Sequence, residues 1–127
     1  MVAVSAGMSN SKTNQDKAKD YIASEIYRQE RAGSKFLDLN VDEISYKIDI
    51  QKSAMKWLVG FYSTVAKVPP SIDSSSPEII KAGLEEYSRI GFPQGAPMIN
   101  SASLERLDVL DIAEHYNTNV VITSAGD

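Results

Sequence analysis

Short apolar runs alternate with long segments of helical apolar periodicity along this chain, and that alternation restricts the folds open to it more than any other feature. Val2-Ala3-Val4-Ser5 reads as an opening strand, followed by a polar loop over Ser9 to Asn14. Ala18, Tyr21, Ile22 and Ile26 fall at helical spacing and Gly33 stands where a helix C-cap belongs, so a helix is predicted over about 14–32. Lys35-Phe36-Leu37-Asp38-Leu39-Asn40 has the pattern of a buried strand with a polar end. Ile50, Ala54, Trp57, Leu58, Phe61 and Val65 mark a second helix, which Val68-Pro69-Pro70 terminates. Ser71-Ile72-Asp73-Ser74 is the next strand end. Ser76-Pro77-Glu78 reads as a helix start with Ser76 as the capping hydroxyl, and Ile79, Ile80, Gly83, Leu84 and Tyr87 carry that helix to Gly91. Ala96 to Ser101 forms another strand, Ser103 caps a fourth helix through Leu104, Leu107, Leu110, Ala113 and Tyr116, and Asn119 to Ser124 is a final β-branched strand.

Strands alternating with helices imply an α/β fold with parallel pairing through right-handed crossovers. Residues 1–127 contain no linker, low-complexity tract or charge block, so one domain of about four βα units plus a final strand is expected, with 1–13 a poorly defined N-terminal segment. Two architectures fit the alternation. A doubly wound open sheet of flavodoxin type is complete at this length, whereas a (β/α)₈ barrel needs ~250 residues, of which the chain supplies about half.

In either architecture ligands bind beyond the carboxyl ends of the strands, which singles out Asp38, Asn40, Asp73, Ser74, Asn100, Ser101, Thr123 and Ser124. Asp38, Asp73 and Asn100 recur at intervals close to the roughly 30 residues of one barrel unit. An isolated Ser or Asn at such a position most often bonds the loop backbone, but a carboxylate beside an amide suits a neutral heterocycle with adjacent donors and acceptors. Phosphate recognition is not indicated: no GxGxxG or GxxxxGK[ST] occurs, and no Lys or Arg stands at a strand end. The absence of Cys excludes thiol nucleophiles and Cys-ligated zinc, and a single His, His115, leaves little for a metal site, so none is expected. With 13 Lys and Arg interspersed among 17 Asp and Glu there is no basic stripe for nucleic acid. No signal peptide or membrane span is expected, and a cytoplasmic location is the default.

The segments Leu37-Asp38-Leu39-Asn40, Ser53-Ala54-Met55-Lys56-Trp57-Leu58-Val59, Ser71-Ile72-Asp73-Ser74-Ser75, Glu78 to Leu84, and Pro97-Met98-Ile99-Asn100-Ser101 together resemble the methyltetrahydrofolate:corrinoid methyltransferases. These belong to the dihydropteroate synthase-like pterin-binding group. The resemblance spans Ile22 to Thr123 and implies the N-terminal half of a (β/α)₈ TIM barrel. It implies that Asp73 and Asn100 contact the pterin, that Asp38 and Asn40 lie at the pocket, and that Ser74, Ser75 and Ser101 support its loops. Where the family opens with a GERxN-like motif, Ser5-Ala6-Gly7-Met8-Ser9-Asn10 keeps only Asn10, a further supporting residue. Strands six to eight of the barrel, with their pterin contacts, lie outside this sequence. The implied chemistry moves the N5 methyl of methyltetrahydrofolate to the cobalt of a corrinoid (cobalamin) held by a partner protein or domain. Dihydropteroate synthesis is the rival within the group, and a non-catalytic half-barrel or flavodoxin-like module the rival outside it. Exposed half-barrel edges lead to an expectation of a homo-oligomer or pairing with a C-terminal half-barrel.

Other conspicuous residues have structural readings. Trp57, with Leu58 and Phe61, falls on an apolar helix stripe, and Tyr21, Tyr27 and Tyr87 read as amphipathic packing. His115 is assigned no role. Ser74-Ser75-Ser76 has no His or Lys at a spacing suited to nucleophile activation.

Overall fold

Leu37, Leu39, Ile72 and Ile99 are buried side by side, and around them the chain builds a parallel sheet with helices on one face. The computed structural model describes residues 2–9, 11–103, 115 and 119–123. Helices α1 (Val2–Gly7) and α2 (Lys12–Arg31) precede β1 (Leu37–Asn40); α3 (Ile48–Val65), β2 (Pro70–Asp73), α4 (Pro77–Ile90), β3 (Met98–Ser103) and β4 (Asn119–Thr123) follow. The strands are all parallel in the order β1-β2-β3-β4.

That order discriminates between the two architectures left open by the sequence. A doubly wound sheet reverses its strand order at a switch point, whereas a barrel adds each strand beside the last. Among the described strands each new one joins the same edge, so winding is single, as in a segment of a (β/α)₈ barrel. The two faces agree with this. Leu39 pairs with Ile72 and Ile72 with Ile99, and this face packs on Ala54, Met55 and Leu58 of α3 and Ile79, Ile80 and Leu84 of α4. The opposite face carries Asp38 and Ser71 in register, then Asn40, Asp73 and Asn100. No described helix is needed on that second face of a barrel strand, because it looks into the barrel.

The expected opening strand is corrected: Val2–Gly7 is a helix. Val4 and Gly7, three residues apart, are both buried, a pairing that helical period provides and strand alternation does not. Gly7 lies against the Trp57 indole with no room for a Cβ. The other helices start and stop close to expectation. Ser11 caps α2 by accepting from the Asn14 N–H at 3.4 Å, so the helix begins at Lys12, two residues before the predicted start. Gly91, at φ 99°, ends α4 in the left-handed conformation that a Cβ disfavours. The fourth helix predicted after Ser103 lies outside the described residues except at His115, which is helical and exposed.

At the amino ends of the strands, side chains stitch the loops together. Glu30 Oε2 accepts from the backbone N–H groups of Lys67, at 2.6 Å, and Val68, at 3.2 Å. The Tyr62 hydroxyl donates to the Val68 carbonyl at 2.5 Å, and Gln94 Nε2 donates to the carbonyls of Ser63 and Ala66, each at 3.0 Å. Buried Tyr87 accepts from the Gln94 N–H and donates to the Gly95 carbonyl, at 3.0 and 2.9 Å. Burial pushes both phenols above the ordinary tyrosine value. Tyr87 thus packs as expected, but Tyr21 and Tyr27, on α2, are 62% and 42% exposed and stand outside the buried core. Trp57 stacks on Phe61, one turn along α3, at 5.7 Å, and meets Gly7 of α1.

The closest approach of helix to sheet is at Gly83. A Cβ there would stand 2.8 Å from Ile72 Cγ2 and 3.0 Å from Met55 Cγ. Alanine gains roughly 1 kcal/mol of helix propensity, but overpacking a dense interface costs about 1–3 kcal/mol. Gly83→Ala is expected to lower stability by about 1 kcal/mol and Gly83→Val by about 3 in urea titrations; unchanged midpoints would show that α4 does not press on β2.

Candidate functional site

Parallel register sets the polar face. Because Asn40 pairs with Asp73 and Asp73 with Asn100, three polar side chains stand in one row at the carboxyl ends of β1, β2 and β3. Asp38 lies on the same face one pleat below Asn40. Its carboxyl lies beside the Asp73 carboxyl and the Asn100 side chain, close enough for both to act on its protonation. Asp38 keeps one side open to solvent, yet its pKa is raised from 3.8 to about 7. Loss of hydration is the largest cause; the hydrogen bond to Asp73 and the charges of Asp73 and Asp42 add to it, and the Asn100 hydrogen bond opposes it. A carboxyl that stays neutral to about pH 7 carries an O–H, so Asp38 can donate where an ordinary aspartate only accepts.

A second tier of contacts holds the row in place. Asp42, just past β1, accepts from the Ser74 hydroxyl with Oδ1 at 2.6 Å and from the Ser75 N–H with Oδ2 at 2.8 Å. Its own N–H donates to Asn40 Oδ1 at 2.8 Å, and its carbonyl accepts from Gln51 Nε2 at 3.1 Å. Ser74, 2% exposed, donates its N–H to the Asn100 carbonyl at 3.1 Å, and its Oγ accepts from the Ser76 N–H at 3.0 Å. The ends of β1 and β2 are therefore tied through the Asp42 and Ser74 side chains, and the end of β2 to β3 through the Ser74 backbone N–H. This corrects the expected helix cap: Ser76 occupies the N-cap position of α4 without a side-chain cap bond; its carbonyl accepts from the Ile79 and Ile80 N–H groups, and the Ser74 hydroxyl accepts from the Ser76 N–H.

Of the residues singled out in the sequence, Asp38, Asp73 and Asn100 come together, and Asn40 joins their row. Ser74 and Ser75 support the loop through Asp42. Ser101 continues β3, its side chain lying outside the described residues, as does Asn10. Sequence reading missed Asp42 and Gln51. The signal for Asp42 was its place two residues after a strand-end Asn, where its N–H meets the Asn side chain in an Asx turn.

A paired carboxyl and amide at the mouth of a parallel sheet fit a heterocycle whose ring edge mixes donors and acceptors. Residues 5–126 match the family model described as pterin binding enzyme. The chain belongs to the pterin-binding enzyme family. Pterin-binding enzymes are thus the group to which this single-wound sheet and its polar mouth belong, and the segments that carried the sequence resemblance all lie inside the matched region. Among the described residues of this pterin-binding chain, no group of three or more His, Cys, Asp or Glu is arranged to hold a metal ion, and no helix is long and apolar enough to cross a membrane.

The raised Asp38 carboxyl has a consequence for stability. The unfolded chain releases this proton near 3.8 and the folded protein near 7, so the folded state binds more protons between about pH 4 and 7. Its contribution is favourable below that window and is lost as pH rises through it. Asp38→Asn is expected to stabilise the protein relative to wild type by an amount that grows from pH 5 to pH 8, reaching about 1 kcal/mol after allowance for solvent screening. Thermal melts across that range check this; a constant difference would contradict a raised Asp38 carboxyl.

Proposed function

We propose that the chain binds the pterin ring of methyltetrahydrofolate at the mouth formed by Asp38, Asn40, Asp73 and Asn100, as part of a methyltransferase whose acceptor is a corrinoid on a partner protein or domain. The observation that supports this reading is the contact of Asp38 with both Asp73 and Asn100 at the carboxyl ends of adjacent strands, inside a chain of the pterin-binding family. The ring presents an amino group and ring N–H donors, which a carboxylate accepts, and Asn100 can donate and accept to fix the ring's orientation.

In methyl transfer the N5–CH₃ bond breaks, the electron pair of cobalt(I) forms the new Co–CH₃ bond, and N5 keeps its pair and takes a proton. An amine is a poor leaving group, so hydrogen bonding at N5 lowers the barrier. The residues of this chain bind and orient. With its carboxyl held neutral to about pH 7, Asp38 can donate to a ring acceptor at the same mouth. The sequence features favouring methyl transfer over dihydropteroate synthesis are Ser53-Ala54-Met55-Lys56-Trp57-Leu58 and Met98-Ile99-Asn100-Ser101.

Calorimetric titration of methyltetrahydrofolate is expected to show binding that weakens at least tenfold, about 1.4 kcal/mol, in Asp73→Ala and in Asn100→Ala. Affinity unchanged in both variants would reject the site. Joined to the C-terminal half-barrel that the sequence resemblance implies, the chain is expected to yield methylcobalamin on incubation with methyltetrahydrofolate and cob(I)alamin. Condensation of a hydroxymethyl-dihydropterin diphosphate with 4-aminobenzoate, without methyl transfer, would favour the synthase instead.

A further inference from the structure

Tyr46-Lys47-Ile48-Asp49-Ile50 is exposed throughout, with Tyr46, Ile48 and Ile50 at 90%, 37% and 42%. Single exposed apolar residues are ordinary; three within one such stretch are not. Looseness of the chain does not account for them. Val41 is fully buried, Ile44 packs on the core, and buried Gln51 of α3 donates through Nε2 to the carbonyls of Asp42, at 3.1 Å, and Ser45, at 2.5 Å. The loop between β1 and α3 is thus pinned at both ends, and Tyr46 stands out from a fixed support. The start of α3 is also poorly matched to its own helix. Lys47 holds the N-cap position with no side-chain cap bond, where Ser, Thr, Asp or Asn is preferred and a cation meets the positive end of the dipole. Ile50 precedes buried Ala54 by one turn, so the apolar stripe of α3 runs past the core into solvent. Departures from local preference that gather in one stretch mark a surface kept for something other than stability.

We propose that this stretch is the contact surface of a symmetric dimer, the partner being the same stretch of a second copy of the chain. A twofold contact sets a patch against itself, so the patch must be self-complementary. Brought together antiparallel, the two stretches match Lys47 of each copy with Asp49 of the other, Tyr46 with Ile50, and Ile48 with its own counterpart. Among the described residues neither Lys47 nor Asp49 takes part in an ion pair. The side chains of a first helical turn lean toward the N-terminus, which gathers Ile48, Asp49 and Ile50 around the end of α3 beside Tyr46. Asp49, in that first turn, also offsets the positive end that each α3 presents to the other. A partner of one dominant charge would set Lys47 or Asp49 against its like. A stretch this short is far below the roughly 20–30 residues a side of a stable interface, so the dimer is weak, with Kd on the order of 10–100 μM.

Sedimentation velocity of the full chain from about 5 to 500 μM is expected to show monomer giving way to dimer and nothing larger, since a twofold contact closes on itself. Ile48→Ser is expected to weaken association about tenfold. Lys47→Asp and Asp49→Lys each set like charges together across the contact and are expected to weaken it by about as much, while an equimolar mixture of the two, which pairs opposite charges again, recovers association to within about twofold of wild type. Asp is a favoured N-cap residue, so Lys47→Asp keeps α3 formed, and thermal melts verify the folding of every variant. Monomer at every concentration, or species beyond the dimer, overturns the inference. So does association that all three variants leave unchanged, the result expected of pairing through open strand edges, or a mixture that fails to re-associate. None of these outcomes bears on pterin binding, which Asp73→Ala and Asn100→Ala test separately.

Discussion

The structure depends on the in-register parallel pairing of three strands. In a parallel sheet, partners in register project to the same side, so pairing Leu39 with Ile72 and Ile72 with Ile99 for the sake of the core fixes where Asn40, Asp73 and Asn100 must go. A slip of one residue in any strand would bury a polar end under α3 or α4 and expose an aliphatic residue to the mouth. Burial of the apolar row thus selects the arrangement of the polar one. The core and the candidate site are two faces of one constraint.

The two ends of the sheet are built differently. At the amino ends, Glu30, Tyr62, Tyr87 and Gln94 cap loop backbone groups with neutral or singly charged partners, an arrangement that serves stability. At the carboxyl ends, Asp38 is held beside Asp73, and loss of hydration together with that neighbour keeps its proton bound to about pH 7. A chain selected only for stability would not bring two carboxyl groups together there. The division matches barrel enzymes generally, where the bottom of the barrel stabilises and the top acts.

Much of the fold was legible in the sequence because period and punctuation agreed: the apolar stripes of α3 and α4, Pro69-Pro70 after α3, and Gly91 at a left-handed cap each reported one local cause. Strand order was not legible, since composition is the same for a doubly wound sheet and a barrel segment, and only pairing distinguishes them. Val2-Ala3-Val4-Ser5 misled because an apolar run of four fits either period; the burial of Val4 with Gly7 decides for the helix. At the site, Asp38, Asp73 and Asn100 were visible as polar residues ending apolar runs. Their mutual contact, the proton that follows from it, and the Asp42 tie to Ser74 depend on distances across strands that a one-dimensional pattern does not contain.

The most direct test of this account is a carbon-13 NMR titration of the Asp38 carboxyl in wild type and in Asp73→Asn. Register that brings the two carboxyls together predicts a wild-type midpoint near 7, falling toward 3.8 when the Asp73 charge is removed but not reaching it, because the loss of hydration at Asp38 remains. A wild-type midpoint near 3.8, or one that Asp73→Asn leaves unmoved, would contradict the convergence on which the site is built.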